Sequence, residues 1–108
     1  MSAPRLIRVI SLARAGRVVP RRVRGMRAAV VELGPGAIMD WHSTGSREEL
    51  LIVLRGRVRI HTAKAQRKDA KVATVMLRVD QCAFLARGTP HCVVNRSTGK
   101  ARYLYVTA

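Results

Sequence analysis

Three histidines, six acidic residues and two cysteines are the groups in this 108-residue chain that could do chemistry beyond ordinary folding. Two of the histidines stand in patterned surroundings. Five residues separate Gly36 from His42, four separate Thr44 from Glu49, and six separate Glu49 from Gly56. Farther on, Gly88-Thr89-Pro90-His91 is followed, after three intervening residues, by Asn95. Neutral imidazole and carboxylate are both suitable ligands for a divalent metal, and both can hydrogen-bond a small molecule. The cysteines support no nucleophile. Cys92 directly follows His91 and so faces the other way on a strand, and no histidine is clearly placed to activate either Cys92 or Cys82.

The elements that must position these groups read as strands. Helical periodicity is hard to find, whereas short β-favouring runs recur at roughly ten-residue spacing between turn formers, the signal of a sandwich or barrel. Arg27–Leu33 stops at Gly34-Pro35-Gly36. Ala37–His42, Glu48–Leu54 and Arg57–Thr62 follow, then a polar hairpin loop over Ala63–Lys71 and strands over Lys71–Val79, Cys82–Leu85, His91–Asn95 and Ala101–Thr107. Residues 1–27 resemble a targeting peptide in being Arg-rich and acid-free, but Ile7, Val9, Val18, Val19 and Val23 form short β-favouring pieces around Gly16 and Pro20. They are expected to be N-terminal strands. With no internal repeat and no linker, residues 1–108 read as one all-β domain with a basic N-terminal arm over about 1–27.

Two strands tell more than the rest. In Glu48–Leu54, alternation puts Glu49, Leu51 and Val53 on one face and Leu50, Ile52 and Leu54 on the other. A strand apolar on both faces needs cover on both, from the core and from another layer or a second subunit. Glu49 then shares a face with two aliphatic side chains, where a carboxylate must be neutralised, hydrogen-bonded or bound to a metal. In the next strand Arg57, Arg59 and His61 alternate with Val58, Ile60 and Thr62, so His61 is expected to be a surface histidine. Trp41 and Phe84 are expected in the core, and Asn95 at a strand end, fixing the backbone after His91.

The spacings match two cupin motifs, G-x5-H-x-H-x3–4-E-x6-G over residues 36–56 and G-x5-P-x-G-x2-H-x3-N over residues 80–95. The sequence resembles a small single-domain cupin, which implies an all-β fold: a double-stranded β-helix, the cupin jelly-roll barrel. It departs from the pattern at three places. Thr44 stands where the family has its second histidine, Asp80 at the opening glycine of the second motif, and Ala86 at its proline. Cupins typically hold iron, manganese, nickel or zinc with three histidines and one glutamate, and the resemblance carries over His42, Glu49 and His91.

Three readings of that triad are open. His42, Glu49 and His91 could hold a divalent metal as a two-histidine, one-carboxylate set. In that case Thr44 would orient a bound water, or Asp40, two residues before His42 and on its face, would supply a substitute carboxylate. The pocket could instead bind a small molecule without metal, or the residues could be structural remnants. The resemblance implies a protein that acts on or senses a small molecule, and the basic composition points to an anionic one; enzymes of the family include dioxygenases, isomerases and decarboxylases, and nothing in this chain selects among them. The alternative is a non-catalytic ligand-binding or regulatory cupin whose basic arm contacts nucleic acid or an acidic partner. Family members commonly pair as homodimers, often by exchanging N-terminal strands, and the Leu50/Ile52/Leu54 face is compatible with that.

Charge bounds the partners. The chain carries 21 Lys+Arg against 6 Asp+Glu, a formal charge of +15. Seventeen of the bases are arginine, and eight of those lie in residues 1–27, where there is no acid. Clustered bases gain affinity for phosphates by releasing counterions. Yet aromatic residues make up only 4%, too few for base-stacking platforms, and neither zinc-finger spacing nor a G-x-x-G clamp is present. Nucleic acid is therefore an open but disfavoured partner. No apolar run approaches the roughly 20 residues of a helical membrane span. Two cysteines do not make a secreted disulfide scaffold, so a cytoplasmic setting with thiols is expected.

Overall fold

The structure, a computed structural model, describes residues 7–63 and 71–108. Among them run nine strands and no helix. They are β1 (Gly16–Arg17), β2 (Arg27–Leu33), β3 (Ile38–Ser43), β4 (Glu49–Arg55), β5 (Arg57–Ala63), β6 (Lys71–Arg78), β7 (Cys82–Leu85), β8 (Pro90–Val94) and β9 (Ala101–Thr107). The interior of the hairpin loop expected over Ala63–Lys71 lies outside the described residues, as do the first six residues of the basic arm. All pairings are antiparallel and form two sheets, ordered β1-β2-β9-β4-β7 and β3-β8-β5-β6. Their facing sides enclose the core of a jelly-roll barrel.

Alternation explains which residues fill it. On β4, Leu51 and Val53 are fully buried, as are Val58 and Ile60 on β5, with Leu33, Leu77, Leu85, Val93, Ala101 and Tyr103 completing the cluster. Burying each such aliphatic side chain contributes about 1.5–3 kcal/mol. Arg57 and Arg59 alternate with Val58 and Ile60 and are exposed, as their pattern implies.

The turns are fixed by backbone demands. Gly56, between β4 and β5, has φ +69°, and a Cβ there would meet the Lys100 carbonyl oxygen at 2.6 Å. Only glycine fits both the left-handed conformation and the close approach. Asp80 takes the same region at φ 70°, so the aspartate at the second motif's glycine position keeps the turn; Asp and Asn are the side chains that tolerate it best. Asn95 is wholly buried. Its Nδ2 donates to the carbonyls of Leu33 (3.0 Å), Gly34 (3.1 Å) and Gly99 (2.8 Å), while its Oδ1 accepts from the Ser97 N–H and hydroxyl. One side chain thereby ties the β2–β3 turn to the β8–β9 turn.

Three expectations need correction. Among the described residues the N-terminal strands reduce to Gly16–Arg17, because the ladder stops just beyond: the Val18 and Val19 N–H groups both donate to the Ala28 carbonyl, and Pro20 has no N–H to continue. Ile7 and Val9 are exposed outside any strand. His61 does alternate with the inward side chains, but it is buried, with Nδ1 2.8 Å from the Thr74 hydroxyl. It lines a cavity of about 400 Å³ on the outer side of its sheet, together with Trp41, Cys92, Val94 and Arg96. Phe84 and Trp41 are not core residues. Phe84 is 63% exposed on the outer side of the five-stranded sheet, opposite Leu50. Strand parity places them there: Phe84 alternates with the inward Leu85.

Candidate metal centre

His42 and His91 are register partners across the β3–β8 pair, which puts their rings side by side, centroids 4.2 Å apart. Glu49 comes from the other sheet, at the start of β4 between β7 and β9. The two sheets thus meet at one end of the barrel through these three side chains. One ligand atom from each lies within 4.8 Å of the other two, and His91 Nε2 is 3.6 Å from Glu49 Oε2. Donor atoms bound to one ion at bond lengths of about 2.1 Å lie about 3–4 Å apart, so the set is close to a coordination shell.

The backbone selects the tautomers. His42 Nδ1 donates to the Asp40 carbonyl at 2.8 Å, and His91 Nδ1 donates to the Thr89 carbonyl at 2.9 Å. A carbonyl only accepts, so each Nδ1 carries the proton and each Nε2 keeps its lone pair in the neutral ring. His91 is fully buried and its Nε2 has no hydrogen-bond partner. A buried nitrogen left in that state is costly unless something binds it. Burial lowers the proton affinity of His91, but the Glu49 carboxylate and the Thr89 carbonyl more than reverse this, and the imidazole titrates above its ordinary value. Tyr103 lies close by. Burial first, then the charges of Glu49 and Tyr105, push its phenol well above the usual range, so it remains a neutral hydroxyl.

A cavity of about 410 Å³ opens over the three groups, lined also by Met39, Thr44, Tyr103, Tyr105, Arg27 and Arg47. Its size suits a small molecule.

Asp40 and Thr44 both line this cavity, outside the group of three. The β3–β8 register shifts between Met39 and His42, a β-bulge that adds one residue to β3. Met39 packs on the core and His42 faces the cavity, so Asp40 joins the cavity wall from the bulge rather than by simple alternation with His42. The Asp40 carboxylate instead accepts the Trp41 N–H at 2.7 Å, and among the described residues it is not in the ligand group. Thr44 lines the cavity, but its hydroxyl donates to the Ala86 carbonyl (3.0 Å) and accepts the Thr89 N–H (3.1 Å). It clamps the turn that delivers His91. Glu48, adjacent to Glu49, is exposed.

Tyr103, Tyr105, Arg27 and Arg47 were not singled out from the sequence. For the tyrosines a signal existed: Ala101, Tyr103, Tyr105 and Thr107 share the inward face of β9 by alternation. The arginines belonged to a composition rich in arginine, where nothing marks two among seventeen.

A family model described as the Cupin domain matches residues 29–107. Among solved structures, the Cnp3 cupin domain of Schizosaccharomyces pombe is similar with a TM-score of 0.72 at 17% identity, covering 87% of this chain and 59% of that one. A Cupin 2 conserved barrel domain protein from Salinispora arenicola CNS-205 is similar with a TM-score of 0.71 at 20% identity, covering 97% and 89%. An oxalate oxidase is similar with a TM-score of 0.68 at 19% identity, covering 77% and 41%. The chain thus spans 59% of the length of the Cnp3 structure and 41% of that of the oxalate oxidase. At such identities the likeness is one of fold. No curated protein sequence matches the chain.

Proposed function

The chain belongs to the Cupin domain family, and from that premise we propose that it holds a divalent transition metal through His42 Nε2, His91 Nε2 and a Glu49 oxygen, and acts on or senses a small anionic molecule in the cavity above. The observation that carries this reading is the buried Nε2 of His91, which makes no hydrogen bond and faces the Glu49 carboxylate at 3.6 Å. Two imidazoles and one carboxylate suit a first-row divalent ion and leave coordination positions open. When bound, the cation supplies Lewis acidity and a point of attachment for a ligand oxygen. The chain's own groups do the rest. The Asp40 and Thr89 carbonyls hold both rings in the ligating tautomer, Glu49 supplies the negative charge, and Tyr103 offers a neutral hydroxyl at the cavity wall.

The same reading has the protein as a homodimer in the cytoplasm, with Cys82 and Cys92 as thiols. Support for the dimer comes from the outer side of the five-stranded sheet. There Leu50 and Phe84 pair across strands, at 42% and 63% exposure, beside Ile52, Leu104 and Val106.

Metal content tests the proposal. Protein purified without chelator or affinity metal should carry close to one transition metal per chain by elemental analysis. Metal-free protein, or metal retained undiminished in His42→Ala and His91→Ala, would sink it.

A further inference from the structure

A second cavity, of about 380 Å³, adjoins the first, and its lining is Arg21, Arg22, Val23, Arg24, Arg27 and Arg47. Five of its six lining residues are arginine and none is acidic. Arg27 and Arg47 line both cavities, so the arginine pocket is a vestibule of the metal-side pocket. Among the described residues the ion pairs are His91–Glu49 and Lys100–Glu32, so none of the five guanidiniums is neutralised by a carboxylate. Arg47 Nη1 is buried and has no hydrogen-bond partner.

The register fixes the span. Arg27, Thr107 and Glu49 are successive partners across β2, β9 and β4. Neighbouring strands lie about 4.8 Å apart, which places Arg27 about 10 Å from Glu49 at Cα. Five arginines without a carboxylate partner lining one cavity call for a ligand of more than one negative charge. A phosphoryl group carries nearly two charges and three acceptor oxygens that match the guanidinium fork. The vestibule holds no aromatic side chain on which a nucleobase could stack, and the pocket it leads into, about 410 Å³, has the size of a small-molecule site.

We infer that Arg27 and Arg47, backed by Arg21, Arg22 and Arg24, form a phosphoryl-binding subsite, and that the pocket's ligand is a small phosphorylated molecule whose other end reaches His42, Glu49 and His91. The second half of this rests on the proposed metal centre; the arginine subsite does not.

Inorganic phosphate, titrated calorimetrically into full-length protein stripped of metal, tests the subsite alone. Arg27→Gln with Arg47→Gln should weaken binding at least about tenfold, the scale of one charge-assisted hydrogen bond. Arg57→Gln with Arg59→Gln removes the same charge from an exposed face of the other sheet and should change it little. Circular dichroism checks that both pairs fold. Absence of phosphate binding overturns the inference. So does an equal loss in the two pairs, and so does a first pair that keeps phosphate but loses a random single-stranded oligonucleotide, which would mark a nucleic-acid surface. In manganese-loaded protein, 2-phosphoglycolate should bind at least about tenfold tighter than inorganic phosphate, and His91→Ala should erase that gain. If the gain is missing while phosphate still binds, the metal reading fails and the arginine subsite stands.

Discussion

His42 and His91 face each other directly across the β3–β8 pair, rings 4.2 Å apart, although 48 residues separate them in the chain. A β-bulge one residue upstream sets this register. Two imidazoles with parallel duties need nothing further to share an ion than the carboxylate that β4 brings from the opposite sheet.

The first prediction concerns that sharing. His91→Ala, Glu49→Gln and His42→Ala should each lower metal affinity by well over about tenfold, since even groups that only orient a ligand are worth 10–100-fold. His91→Ala should be the most severe, because its ring is buried between the other two ligands. Competition against a chromogenic chelator measures the order.

pH should act in opposite directions on the stripped and loaded protein. Without metal, the proton on His91 is stabilised by Glu49 and the Thr89 carbonyl. That contribution is fully present below the unfolded value of about 6.5 and is lost as pH rises through the higher folded value. Metal requires the neutral ring, so its affinity falls as pH drops through the same range. The rise in Tm on adding manganese should therefore be larger at about pH 8 than at about pH 6. Glu49→Gln should flatten the dependence in the stripped protein.

Asn95→Ala should destabilise the chain by at least about 2 kcal/mol, because it strands three carbonyls and leaves a void where each unpaired buried group costs about 1–3 kcal/mol. Metal bound per folded chain should stay unchanged, since Asn95 touches none of the three ligating side chains. Urea denaturation with metal analysis of the folded fraction separates the two effects.

Gly56→Ala should destabilise by at least about 2 kcal/mol, combining a left-handed φ with a collision against the β8–β9 connection. The 2.6 Å approach involves the Lys100 backbone carbonyl, so no side-chain rotation relieves it. Thermal unfolding gives the value.

If the Leu50/Phe84 face is covered by a second copy, Phe84→Glu should convert a dimer into a monomer in light scattering after size exclusion. A wild type that is already monomeric at micromolar concentration would remove the dimer from the proposed function.

Most strands were legible because alternation and turn residues are local properties. Arg27–Leu33, Cys82–Leu85 and Ala101–Thr107 appear with the bounds the sequence suggests, and the others differ by a residue or so at their ends. The grouping of His42, Glu49 and His91 was legible through the resemblance of their spacings to the cupin motifs. What was hidden is long-range or irregular. A bulge between Met39 and His42 changes parity without any glycine to announce it, so Asp40 reaches the cavity wall while its carboxylate turns to the Trp41 N–H. His61 is buried on the outer side of its sheet, beyond the reach of an inward/outward rule. Arg47 becomes distinctive only when a cavity places it beside Arg27, twenty residues earlier.

Main-chain carbonyls, two residues before each histidine, do the aiming of both rings. Side-chain anchors can be deleted by one codon change; these cannot, because every residue type supplies the same oxygen. The neighbourhood of the centre can therefore drift in sequence while the lone pairs keep their direction. That tolerance gives a physical reason why a threonine can stand at position 44 without disordering the two imidazoles that remain.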